Sequence, residues 1–189
     1  MLLRNRAPSI DSAPVIAAKG YEHVPTSSLA VLRWLNTVGI DYVLVGPAAR
    51  AARGDSEASG PVAIVPAPYG RNLDRLAQSL NSVHARERSH AAMLGIRLHH
   101  NSHGAQLKFS PQHLLRPERW ALSCGVYELD VEGRPAGSPS FQELLYEAVR
   151  VELAQGVAAE VAAPEDIEHY DHVRRTGVAP ELVVSRTEG

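Results

Sequence analysis

"YVLVGPAARAARG", Tyr42–Gly54, and "ASGPVAIVPAPYGRNLDRLAQSL", Ala58–Leu80, decide how the rest of the chain is read. Tyr42–Val45 is a short apolar run of β-formers that stops at Gly46, the pattern of a buried strand. The alanine-rich "PAARAARG" has high helix propensity and closes at Gly54, so it predicts a short helix. "VAIVPA" predicts a second strand. "GRNLDRLAQSLNSV" predicts an amphipathic helix, because Leu73, Leu76 and Leu80 recur at helical spacing.

Upstream, "TSSLAVLRWLNTVGI" sets Leu29, Leu32, Trp34, Leu35 and Val38 near one helical stripe, with Ser27 or Ser28 as N-cap and Gly39 as terminator. Residues 1–24 carry Arg4, Arg6, Pro8 and Pro14 without apolar periodicity and read as an extended N-terminal arm. Its Leu2, Leu3, Val15 and Ile16 suit docking on a partner or a second copy. Downstream, "GIRLHHNSHGAQLKFS" predicts a hairpin around Asn-Ser-His-Gly, and "GVYELDVEG" a further strand. "SFQELLYEAVRVEL" is helical at first, "GVAAEVA" is a last strand, and "APEDIEHYDHVRRTG" is a helix ended by Gly177. Residues 178–189 form a tail without a clear element. Helices alternate with strands, so the expected class is α/β or α+β, one domain over 25–177 with a mixed sheet flanked by helices.

The 189 residues are 44% hydrophobic, 21% charged and 5% aromatic, enough apolar content for a packed core and too much for a disordered chain. A formal net charge of −2 and a pI near 6.5 give no whole-chain reason to bind nucleic acid or an anionic membrane. A single cysteine, Cys124, excludes an intramolecular disulfide and fits a reducing compartment. No apolar stretch approaches the roughly 18 residues of a membrane span, and the start lacks a signal peptide's apolar run, so the expected location is the cytoplasm.

In order and spacing, these segments resemble the minimal nucleotidyltransferase fold, in particular the bacterial subgroup related to abortive-infection toxins. Gly46 matches that family's small-residue turn after the first strand, with Pro47 in the second small-residue place. "YELDVEGRPAGSPSFQELLYEAVRVEL" and "VAAPEDIEHYDHVRRTG" are similar to its third-aspartate strand, its Gly-x-Pro-Ala-Gly turn and its closing helix. The resemblance covers roughly residues 28–177. It implies a strand bearing Asp-x-Asp, whose i and i+2 carboxylates project from one face to hold two magnesium ions, with a third carboxylate on a neighbouring strand. Aligned without a gap, the paired aspartates fall on Pro61 and Ala63, which have no ligand atoms. The third falls on Asp130. A lysine common in the final helix falls near Asp171 and is absent, and the arginine and threonine that often precede Asp-x-Asp fall on Glu57 and Ser59.

What remains gives the candidate site: Asp130 and Glu128 as remnant catalytic or metal-binding carboxylates on one strand face, against a polar strand end facing a water-filled pocket, and Gly46, Arg50, Arg53 and Ser59 around the nucleotide position. Arg50 and Arg53, i and i+3, with Arg71 and Arg75, would offer phosphate or a nucleic-acid backbone a basic patch; the alternative is scattered solvated arginines. Asp55 and Glu57 could replace the lost pair, against a solvated acidic loop. His99, His100 and His103 could hold zinc, against solvated turn histidines. His169 and His172 beside Asp171 read as a surface helix. Cys124 has no sign of an activated thiol, and no phosphate-loop signature is present.

The expectation is a degenerate nucleotidyltransferase that binds a protein partner or its own copy, with no cofactor, and with nucleotide or nucleic acid as a further ligand at the remnant cleft. The alternative is an active enzyme, connected with toxin or defence systems by the resemblance, using magnesium, a nucleoside triphosphate, Asp130 and a displaced carboxylate.

Overall fold

A computed structural model describes residues 23–88 and 108–178. In these residues six helices flank one sheet. The helices are α1 (Thr26–Thr37), α2 (Gly46–Ala52), α3 (Gly70–Ser82), α4 (Pro111–Leu114), α5 (Phe141–Glu147) and α6 (Pro164–Thr176). The strands are β1 (Tyr42–Val45), β2 (Val62–Pro66), β3 (Arg86–Glu87), β4 (Trp120–Cys124), β5 (Tyr127–Val131), β6 (Val149–Ala154) and β7 (Val157–Val161), ordered β3-β4-β5-β2-β1-β7-β6. β2 runs parallel to β5 and β1 parallel to β7, whereas the other neighbours pair antiparallel, so the sheet is mixed as expected.

Every residue of β1 and of β2 is buried. Successive strand residues point to opposite faces, so both faces of the sheet centre are covered, and this is why these strands read as continuous apolar runs. α1 packs on β7, β5 and β2 through Val31, Leu32 and Leu35, while α2 packs on β1, β2 and α6. Val24, at the end of the expected arm, is part of the core.

α1 begins without the serine cap expected of it. Pro25 occupies the N-cap position and Ser28 is buried inside the helix. Asn72, fully buried, fastens the start of α3 to the entry of β1. Its Nδ2 donates to the carbonyls of Asp41 (2.9 Å) and Ala67 (3.0 Å), and its Oδ1 accepts from the Asp41 N–H (2.8 Å). The structure adds a strand that the sequence reading omits, β4: "RWALSC" is short and of mixed polarity, and it is joined to β5 by a tight turn at Gly125 (φ +68°) and fixed by pairing with it. The helix in "SFQELLYEAVRVEL" stops at Glu147 and the remainder is strand β6. The predicted hairpin and His99, His100 and His103 lie outside the described residues, apart from the hairpin's last three positions. Among the described residues no helix is long and apolar enough to cross a membrane.

Candidate functional site

Strand register brings the candidate positions into one row. Val45 of β1 sits opposite Ala63 of β2, Ala63 opposite Asp130 of β5, and Asp130 opposite Ala121 of β4. Gly46 follows Val45 directly, with φ +63°. A Cβ there would lie 3.1 Å from the Ala63 methyl and 3.2 Å from Arg174 Nη1, so glycine serves both the backbone turn and the close approach of a guanidinium.

Strand periodicity places Glu128, Asp130 and Glu132 on one side of β5 and its extension. Glu132 lies just past β5, yet its N–H donates to the Ile64 carbonyl (2.9 Å) and prolongs the pairing with β2. Asp130 is fully buried and Glu132 nearly so, at 4% exposure, while the Glu128 side chain is half exposed. Two arginines from distant parts of the chain meet these carboxylates. Arg88, one residue after β3, pairs with Glu128 (2.9 Å) and hydrogen-bonds Asp130. Arg174, in the last turn of α6, puts Nη2 2.8 Å from Asp130 Oδ2 and donates from Nη1 to Glu132 Oε1 (3.0 Å). Two buried carboxylates and the half-exposed Glu128 thus face two guanidinium groups, and Arg119 acts on Glu132 as well. Burial pushes the Glu132 carboxyl up to about 7, against the opposing pull of Arg174 and with a further push from Asp130.

The residues do not fit the two-metal group that the resemblance implies. Ala63 presents a buried methyl toward the row, Pro61 precedes β2, and both Asp130 and Glu132 are engaged by guanidinium. Among the described residues no group of three histidine, cysteine, aspartate or glutamate side chains is arranged to hold an ion.

Beside this row, between α2, the Asp55–Ser59 loop and α6, lies an open cleft of about 440 Å³. Pro47, Ser59, Arg50, Arg174 and Arg175 line it, with Asp55, Glu57 and Asp171. Arg50 crosses it, pairing with Asp55 (2.7 Å) and Asp171 (3.3 Å) and so linking α2 to α6. Arg50 and a hydrogen bond from the Glu57 N–H (3.0 Å) hold the Asp55 carboxyl below the usual carboxylate range. Asp55 is therefore a loop organiser and does not pair with Glu57 as twin ligands. Arg53 points elsewhere, donating to the carbonyls of Ala162 (2.7 Å) and Val161 (3.3 Å) at the end of β7. Arg71 and Arg75 also lie away from the cleft; Arg75 faces Asp41 at 3.8 Å. Of the four arginines considered from sequence, only Arg50 lines the cleft. Its three arginines are matched by three carboxylates, with Asp130 and Glu132 behind Arg174.

The remaining reactive groups are occupied or restrained. His169 Nε2 lies 2.9 Å from Ser138 Oγ and ties α6 to the loop before α5; Ser138 is buried, and burial lowers the His169 pKa. Burial pushes the Cys124 thiol up to about 11, the opposite of an activated nucleophile. Sequence reasoning did not pick out Glu132, Arg88 or Arg174. Glu132 was available from the same period of two that selected Glu128 and Asp130. The arginines carry no local signal, because each pairs with carboxylates about forty positions away.

No protein-family model matches the chain, and no curated protein matches it.

Proposed function

We propose that this chain is a nucleotidyltransferase-fold protein that has lost two-metal catalysis and acts by binding a protein partner. One observation carries the reading: Asp130, the remaining candidate metal ligand, is buried against Arg88 and Arg174, and the position beside it in the sheet is the methyl of Ala63. Asp130 Oδ1 accepts from Arg88 and Oδ2 faces Arg174 Nη2 at 2.8 Å without accepting a hydrogen bond; a carboxylate flanked by two guanidinium groups is poorly placed to hold magnesium on a triphosphate. The mixed charge of the cleft favours a protein surface over phosphate. A triphosphate entering it would meet Asp55, Glu57 and Asp171 along with the arginines, and Arg50 is already matched by two carboxylates.

The test is nucleotide transfer and binding by the purified full chain. Each of the four labelled nucleoside triphosphates is supplied with magnesium or manganese, and calorimetry is run in parallel on the chain and on Asp130→Ala. The expected result is no labelled product and no heat that depends on both metal and Asp130. Labelled product that disappears in Asp130→Ala would overturn the proposal and restore an enzyme using Asp130 and a displaced carboxylate.

A further inference from the structure

We propose that Arg174 is the resident cation of the β5 carboxylate face: its guanidinium bridges Asp130 and Glu132 in the space a divalent ion would need, and its removal opens that space to one such ion. That this face descends from a catalytic centre rests on the reading above; the charge and geometry argument does not.

The bridging is a division of labour between the two ends of one planar fork. Nη2 stands 2.8 Å from Asp130 Oδ2 and Nη1 stands 3.0 Å from Glu132 Oε1, so one guanidinium serves two carboxylates two residues apart on a strand. A hard divalent cation makes the same kind of bridge, through oxygens at about 2.0–2.2 Å with water filling its other positions. The guanidinium is seated deeply. The Arg174 side chain is 15% exposed, and the missing side chain at Gly46 leaves room for Nη1.

Charge favours the substitution. Arg174 stands between the two buried carboxylates, Asp130 and Glu132, while Arg88 stays engaged with Glu128 and Asp130 and Arg119 acts on Glu132. Without Arg174 the two buried carboxylates lose the cation between them. A divalent ion held by both replaces it. The competing solution is protonation of the carboxylates, and a metal that binds their charged form displaces those protons.

Manganese is the probe, because its free aqueous ion gives an electron paramagnetic resonance signal that falls on binding. The full-length chain is compared with Arg174→Met, which keeps an unbranched apolar stem and removes the guanidinium and its charge, and with the double variant Arg174→Met/Glu132→Gln. Arg174→Met is expected to take up one manganese per chain at least about tenfold more tightly than the unmodified protein, and the double variant to lose that gain. If Arg174→Met does not fold alone, it is refolded with millimolar manganese, and recovery of a cooperative urea transition that requires the ion is the expected result. A folded Arg174→Met that binds manganese no better than the unmodified chain, or a variant that manganese does not rescue, overturns the proposal. So does tight manganese binding by the unmodified chain that Glu132→Gln abolishes. Failure here is separable from failure of the functional reading, because the transfer assay reads catalysis by the unmodified chain and this one reads ion binding by a variant.

Discussion

Replacing Glu132 by glutamine tests whether the buried Glu132 carboxylate costs stability once it is charged. Glu132 is 4% exposed and is surrounded by Arg174, Asp130, Arg119 and the Tyr170 ring of α6. Burial raises its carboxyl from 4.5 to about 7. A carboxyl raised on folding means that the folded chain holds a proton the unfolded chain has released, so the stability from this group is full below the unfolded value and is lost as pH rises through the folded one. A rise of two and a half pK units corresponds to about 3 kcal/mol lost between mildly acid and mildly alkaline solution. Glutamine keeps an acceptor for Arg174 Nη1 and cannot ionise. It can leave an amide N–H unpaired, which costs about 1–3 kcal/mol but costs the same at every pH. The diagnostic is therefore the pH dependence of the difference between the two proteins, since the titrating groups that do not interact with Glu132 cancel. Urea unfolding followed by the fluorescence of Trp34 and Trp120, from about pH 5 to pH 8.5, should show Glu132→Gln gaining on the unmodified chain by about 2.5 kcal/mol across the range. A difference that stays flat with pH, or that turns against the variant as pH rises, refutes the reasoning and makes the Arg174–Glu132 pair a net stabiliser in its charged form.

Two further predictions concern positions that set the frame of the site. Asn72→Ala removes three hydrogen bonds, the one to the Ala67 carbonyl buried and the two with Asp41 part-buried; the Asp41 carbonyl keeps its bond from the Ala67 N–H (2.9 Å), so the loss should be about 2–3 kcal/mol by urea unfolding, and a loss under about 1 kcal/mol would mean that α3 is held by Leu73, Leu76 and Leu80 alone. Gly133→Ala sets a Cβ against the backbone of Pro117 and Glu118, which cannot turn aside as a side chain can; a loss of about 3 kcal/mol or more is expected, and a variant within about 1 kcal/mol of the unmodified chain would show that the Pro117 loop yields freely.

What the sequence made legible follows from where each signal sits. β1, α2, β2 and α3 lie close to their predicted limits because burial on both faces leaves an unbroken apolar run and the stripe of α3 is strong. β4 and β6 did not announce themselves. "WALSC" and "VRVELA" have mixed burial, and their conformation is fixed by antiparallel partners, β5 for the first and β7 for the second. β6 has the further handicap of following a helix with no turn residue between them: α5 has a strong start, a reciprocal Ser140–Glu143 capping box, but it passes into β6 through Ala148 alone.

The site divides along the same line between local and distant information. Period two on β5 is local, so Glu128 and Asp130 could be assigned to one face from sequence, and Glu132 belonged to the same series. The identity of their counter-ions is not local: Arg174 reaches Glu132 across 42 positions and Arg88 reaches Asp130 across 42 in the other direction. Arginines counted along the chain pointed to Arg50, Arg53, Arg71 and Arg75, whereas those that matter to the carboxylates were hidden as the residue after a two-residue strand and as one of a pair near a helix end. A helix C-terminus favours cations through its dipole, which supplies a bland reason for Arg174 and Arg175 to stand there. Only the packing of α6 beside α2 separates the two, sending Arg174 inward past Gly46 to the carboxylates. The same packing leaves Arg175 exposed on the cleft wall.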